Sequence, residues 1–579
     1  MKFRLKSLVV SVFIFILVLP LCSCGKTSAD SRFESLSKDY FVEEMSDNAL
    51  TLHYCLSNPG KYGICCEASF GDLSRKARKE DHSQLEAFIK DLSSIRAKSL
   101  SSKDRLDYDT LSFYLNLQDN LYEYELYAEP LSPNNGIQAQ LPILLAEYTF
   151  YDKEDVENYL TLLGNVDCYL EQILSFEEEK IQAGLFMSDE NCVQVIESCE
   201  SFLENREKNF LFSTFSDRLE QVEGLTDDEI ASYVKCNSEA LWDHVFPAYE
   251  NMIHRLTSML GCGRNDYGLC TFEKGAEYYA LLATAYTGSD MTMEELFDAI
   301  AAAREEDLLE YRSLFESDST LLERLSDKKW EDTDEDSMIS TLLASMQADF
   351  PEPVTTDYSL SFVVECLQPY LAPAFYITAP YDNYMENRIF VNTAKTYPSI
   401  SYFTTLAHEG FPGHLYPTTM SYDYGLSPMR FCLDFPGYTE GWATYVEMMA
   451  YDYAGLDENV ALALRLNQTT TLSLYATSDI GIHYYGWKTE DMQKFWAEYG
   501  ITDENVINEI TQLILSEPGN YLKYYVGYLE FEGLKDDMMA TYGEDFSLSA
   551  FHEAILRMGP APFSVLRDHL KEYYSLCAK

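Results

Sequence analysis

One segment, His408-Glu409-Gly410-Phe411-Pro412-Gly413-His414, constrains the fold of this chain more than any other. Where two histidines stand four residues apart on a helix, as in HExxH, they lie about 40° apart around the axis and both reach one metal. Here the separation is six residues. On an unbroken helix that turns the second imidazole roughly 120° away from the first, too far to share a tetrahedral site. Pro412 removes a helical donor and clashes with the preceding turn, and Gly413 tolerates dihedrals that other residues avoid, so the pair predicts a break that swings His414 back toward His408. Only nine histidines occur in 579 residues, and two of them fall in this segment with Glu409 beside the first.

A third ligand is expected downstream. Phe435-Pro436-Gly437 is a turn signal, and the run Tyr438 to Glu447 that follows it reads as a helix with Glu440, Thr444 and Glu447 on one face. Catalytic zinc sites take three protein ligands and leave a fourth position open, and two His with one Glu is a known set. Glu440 lies 26 residues after His414, room for a loop and a return helix. Apolar neighbours Trp442, Ala443, Val446 and Met448 argue that this helix is not a solvated acidic face. Glu447, one helical face along, suits orientation of a ligand histidine from behind.

These two segments resemble the hallmarks of a large bacterial family of zinc metallopeptidases with an HExxPGH motif, catalogued as a domain of unknown function. Further stretches are similar to that family: Gly136 to Pro142, Ala183-Gly184-Leu185, Glu277-Tyr278-Tyr279, Asp479 to Trp487 and Gly559 to Phe563. The resemblance implies a mainly α, two-lobed, gluzincin-like hydrolase. It also implies one zinc per chain on His408, His414 and Glu440, with Glu409 as general base. Where family members often follow the second histidine with His or Gln, this chain has Leu415-Tyr416-Pro417, so no role of those side chains carries over. Tyr524 matches a family tyrosine suited to donating a hydrogen bond to a developing oxyanion. His483 is the second candidate for that role, and His552 ranks below both.

Upstream, Ala374 to Thr378 and Arg388 to Thr393 alternate and are rich in strand formers, which predicts a small antiparallel β-sheet next to the active-site helix. An edge strand there can bind extended peptide by strand addition, with Asn392 as the backbone-recognising residue.

At the N-terminus a basic stretch, Met1 to Lys6, precedes the apolar run Leu8 to Leu21 and then Cys22-Ser23-Cys24-Gly25. The run is too short for a good bilayer span and ends in what resembles a bacterial lipobox. Residues 1–23 are therefore expected as a lipoprotein signal peptide, Cys24 as the lipidated residue, and 24–32 as a flexible tether holding the protein to the outer face of a bacterial membrane. The membrane contact is through lipid alone, since no second segment is long and apolar enough to span. Lys plus Arg total 42 against 95 Asp plus Glu, a net charge of −53, which excludes nucleic-acid binding because phosphates would be repelled. The same charge favours neutral or cationic peptides as substrates.

Hydrophobic content of 46% and 14% aromatics suffice for large cores. Asp155 to Glu179 and Asp189 to Asn209 repeat apolar residues at helical spacing, as does Thr292 to Leu325. Residues 33–579 are expected as one catalytic unit, an N-terminal helical lobe (33–265) and a metal-binding lobe (266–579). Among 14 cysteines, Cys262 and Cys270 are spaced to close a small loop. The favoured function is a membrane-anchored extracellular zinc peptidase. The alternatives are a non-catalytic surface peptide-binding lipoprotein and a metal-dependent amide or ester hydrolase acting on non-peptide substrates.

Overall fold

Apolar residues at three-to-four spacing dominate this chain, and its computed structural model is accordingly mainly helical, describing residues 28–326, 334–363, 368, 372–394 and 399–578. The signal segment and Cys24 lie outside the described residues. The expected tether is only partly so: a helix already begins at Ser28 and runs to Asp47, burying Asp30, Phe33 and Tyr40, so Ser28 to Arg32 are packed helix.

The helices share several cores. The largest joins early helices, through Phe33, Phe41, Leu106 and Leu115, to Phe403, Trp442, Phe531 and Phe563 in the last third of the chain. A second, built from Leu141, Tyr159, Leu174, Phe215 and Tyr249, belongs to residues 50–259 and reaches Phe390 in the sheet. The first helices therefore pack against the elements that carry the histidine motif.

Among the described residues three short strands complete the fold: β1 (Ser359–Phe362), β2 (Ala374–Tyr376) and β3 (Arg388–Val391), in the order β1-β3-β2. β2 and β3 pair antiparallel with Phe375 opposite Phe390, their rings stacked at 4.8 Å, as the alternation predicts. β1 pairs parallel with β3, which makes the sheet mixed rather than antiparallel. Burial explains the difference: Ile389, Phe390 and Val391 are all buried, as in a central strand, whereas β2 lies at the edge.

Among the described residues the cysteines are free, Cys262 and Cys270 included. The expected loop closure does not form, because the Cys270 thiol points to the Ile482 carbonyl at 3.2 Å. No helix among the described residues is long and apolar enough to cross a membrane.

Candidate metal centre

The helix bearing the first histidine spans Ser399–Glu409 and stops there; the next spans Leu415–Asp423 with His414 at its N-terminal boundary. Between them the Phe411–Pro412 peptide is cis. The break is tightly closed: Gly413 N–H donates to the Ala407 carbonyl at 2.9 Å, and His414 N–H to that of His408 at 2.7 Å. A Cβ on Gly413 would stand 1.8 Å from the His408 carbonyl oxygen, so only glycine fits. The Trp442 indole donates to the Pro412 carbonyl at 2.9 Å and ties the break to the helix that carries Glu440. As the Pro-Gly pair requires, the detour returns His414 to His408, with ring centroids 4.8 Å apart and nearly perpendicular.

Glu440 comes from the helix Pro436–Tyr453. Its Oε2 lies 3.6 Å from His408 Nε2 and 3.4 Å from His414 Nε2. Donors held at zinc bond lengths of about 2.0–2.2 Å in a tetrahedron stand about 3.4 Å apart, and both distances from Glu440 are close to that spacing. Behind it, Glu447 Oε2 is 3.1 Å from His408 Nδ1. A carboxylate only accepts, so Nδ1 carries a proton toward Glu447, and Nε2 points to Glu440 and the centre. Burial alone would lower the His408 pKa, yet Glu440 and Glu447 raise it well above the usual histidine value. Burial alone would likewise raise Glu440, and the two histidines with Lys523 hold it well below the carboxylate range.

Glu409 stands at the same centre, with a carboxylate oxygen within 4.8 Å of ring nitrogens of both histidines. Its Oε2 accepts from the Tyr376 N–H at 2.9 Å. Burial raises its pKa, against the pull of His414 and His408. Tyr524, on the helix Asn520–Tyr542, has its ring 6.4 Å from that of His408. Burial, then Glu440 and Glu409, push its phenol well up, so it stays protonated and can donate.

Two groups at the centre were not anticipated. Lys523 Nζ is 3.5 Å from Glu440 Oε1, holding the oxygen turned away from the histidines. The Tyr376 amide of β2 fixes Glu409. Lys523 adjoins Tyr524 in sequence, but its relation to Glu440, 83 positions away, follows only from the packing of two helices. That packing depends on glycines: a Cβ on Gly441 would come within 2.5 Å of Gly527, and one on Gly527 within 2.2 Å of the Gly437 carbonyl oxygen.

Three other expected residues lie elsewhere. His483 is buried, accepting at Nδ1 from Leu269 N–H (3.2 Å) and donating from Nε2 to the Ile514 carbonyl (3.0 Å). Burial pushes its pKa down to about 4. With both nitrogens occupied it pins helices together and is not free to meet an oxyanion. His552 does the same between Tyr445 and Asp349. The Asn392 side chain donates to the Gln368 carbonyl and accepts from Ala394 N–H, stitching its own loop. β1 and β2 are the two edge strands, and β2 is the one that reaches the centre, through Tyr376 N–H. Asn392 N–H bonds the Pro373 carbonyl, so by alternation Phe375 faces β3 while Ala374 and Tyr376 turn their amides outward, Tyr376 toward Glu409.

Solved structures share this fold. A protein described as a putative lipoprotein from Colwellia psychrerythraea superposes with a TM-score of 0.83 at 18% identity, covering 95% of this chain and 100% of that one. A putative lipoprotein of unknown function from Shewanella oneidensis gives 0.64 at 16% identity, covering 93% and 99%. No curated protein matches the chain by sequence. The model of the family described as bacterial protein of unknown function, DUF885, matches residues 59–570, and the chain belongs to that family.

Proposed function

We propose that this protein is a zinc-dependent peptidase with a gluzincin-like site, anchored by lipid at Cys24 to the outer face of a bacterial membrane. The observation that carries the reading is the position of Glu440 Oε2, at tetrahedral donor spacing from both histidines, with Glu409 beside it and held by a backbone amide. A zinc ion on His408, His414 and Glu440 would polarise the scissile carbonyl and bring the pKa of a water to about 7. Glu409 takes the proton of the attacking water and returns it to the departing amine; its raised pKa suits both halves of that transfer. The Tyr524 phenol donates to the oxyanion as it develops. Glu447 fixes the His408 tautomer, and Lys523 holds the far oxygen of Glu440. With the Tyr376 N–H committed to Glu409, the outward Ala374 N–H and the outward carbonyls of Ala374 and Tyr376 are the β2 groups left to pair with an extended peptide whatever its sequence. Lipid attachment is supported by the lipobox-like Leu21-Cys22-Ser23-Cys24 and by the lipoprotein descriptions of the two structural neighbours.

Elemental analysis of the purified mature protein, paired with peptide-library cleavage, tests the reading. One zinc per chain is expected, retained in Glu409→Gln while cleavage falls at least about 100-fold. A metal-free protein with the three donors intact would sink the site, and equal cleavage by the variant would remove Glu409 as the base.

A further inference from the structure

We infer that the cavity beside His414 selects a positively charged substrate side chain, with Asp434 as the specificity-determining carboxylate; this rests on the peptidase reading above. The cavity holds about 240 Å3, below the roughly 300–1,000 Å3 of pockets that take a whole small-molecule ligand, and so is sized for one side chain. Its position follows from two lining residues. His414 is a candidate zinc ligand, and Thr378 stands two residues beyond Tyr376 at the β2 edge. A peptide laid along β2 with its scissile bond at the donor set passes a neighbouring side chain over this opening.

The lining has two chemistries. Tyr422, Phe431, Phe435 and Tyr438 form aromatic walls suited to the methylene stem of a lysine or arginine. Two lining residues besides His414 carry formal charge. Arg430 is already matched, its Nη1 2.9 Å from Asp107 and its Nη2 donating to the carbonyls of Met558 and Pro560. Asp434 makes no hydrogen bond or ion pair among the described residues, and its side chain is exposed. Desolvation by the surrounding protein pushes its carboxyl pKa up, with Lys523 pulling the other way and Glu440 adding to the rise, and Lys523 is itself engaged with Glu440. A carboxylate without a direct partner in a cavity that also offers aromatic walls favours an ammonium or guanidinium over a neutral chain of the same length. The net charge of −53 works in the same direction by drawing cationic peptides to the surface.

Binding to the Glu409→Gln protein separates this question from turnover. Alanine pentapeptides carrying one lysine, norleucine or glutamate, at each position in turn, would be titrated calorimetrically into the zinc-loaded variant. Lysine at one position should bind about tenfold more tightly than norleucine. Adding Asp434→Asn should erase that difference, and Asp434→Lys should transfer the preference to glutamate, a gain that a misfolded protein would not show. Equal affinity for lysine and norleucine at every position overturns the inference, as does a lysine preference that survives Asp434→Asn. Peptides that bind without any preference for charge leave the peptidase reading standing and this one fallen. A protein that takes up zinc and binds no peptide removes both.

Discussion

At the residue scale, the centre is organised by which atoms are left free. His408 spends Nδ1 on Glu447, which leaves Nε2 facing Glu440, whereas His483 and His552 spend both nitrogens on the surrounding fold. That separates a candidate ligand histidine from a structural one more sharply than sequence context does, since Asp479 to Trp487 looks as motif-like as the segment His408 to His414. Removing the partner behind His408 should be felt at the metal: Glu447→Gln is expected to weaken zinc affinity about 10–100-fold with little change in fold, measured by competition with a chelator. Unchanged affinity would mean that Glu447 does not orient the ligand. His408, Glu409 and His414 were legible as a group because they are neighbours along the chain. Lys523 and Asp434 were not, because each gains its relation to the centre across a helix–helix or loop contact.

At the scale of elements, two breaks and one crossing position the chemistry. The break at Pro412-Gly413 was legible because both residues act locally. Another was missed: the periodic stretch Asp155 to Glu179 is two helices, Lys153–Leu163 and Val166–Ala183, parted at Gly164-Asn165. Apolar spacing persists through a short interruption, so periodicity alone does not register it. The crossing between the helices that carry Glu440 and Tyr524 rests on Gly441 and Gly527. Gly527→Ala inserts a methyl where backbone atoms already stand within 2.2–2.7 Å. It is expected to cost about 1–3 kcal/mol in chemical denaturation and to lower cleavage by moving Lys523 and Tyr524 off the centre. An Ala variant with native stability and activity would show that the crossing has slack. The sheet is a case of partial legibility. β2 and β3 carry strand-forming alternation, whereas β1, Ser359-Leu360-Ser361-Phe362, gains its place by parallel pairing to a strand 29 residues later.

At the scale of the molecule, the two pinned histidines predict how the protein meets acid. Each is neutral in the folded state: a second ring proton on His483 would face the Leu269 amide, and burial disfavours the charged form of both His483 and His552. Burial holds their pKa values down to about 4 and about 3. The unfolded chain takes up these protons from about pH 6.5 downward while the folded chain does not, so stability falls as pH drops from about 6.5 toward 4. The loss is on the order of 3 kcal/mol per imidazole by pH 4. Asp479, raised to about 7 by burial, acts oppositely: its folded form keeps a proton that the unfolded chain releases, so its contribution is lost as pH rises toward 7. In thermal melts across pH 4–7, His483→Gln should be less stable at pH 7 yet lose stability less steeply on acidification; parallel curves would assign the acid sensitivity to other groups. By itself the sequence determined what depends on neighbours along the chain: the helical habit, the broken helix between two histidines, and Glu409 beside the first of them. Tertiary structure alone decided what depends on distant segments meeting. It set Glu440 within reach of both histidines, Lys523 behind it, the β2 amide of Tyr376 on Glu409 and Asp434 beside a cavity, because each of these is a relation between residues that only packing brings together.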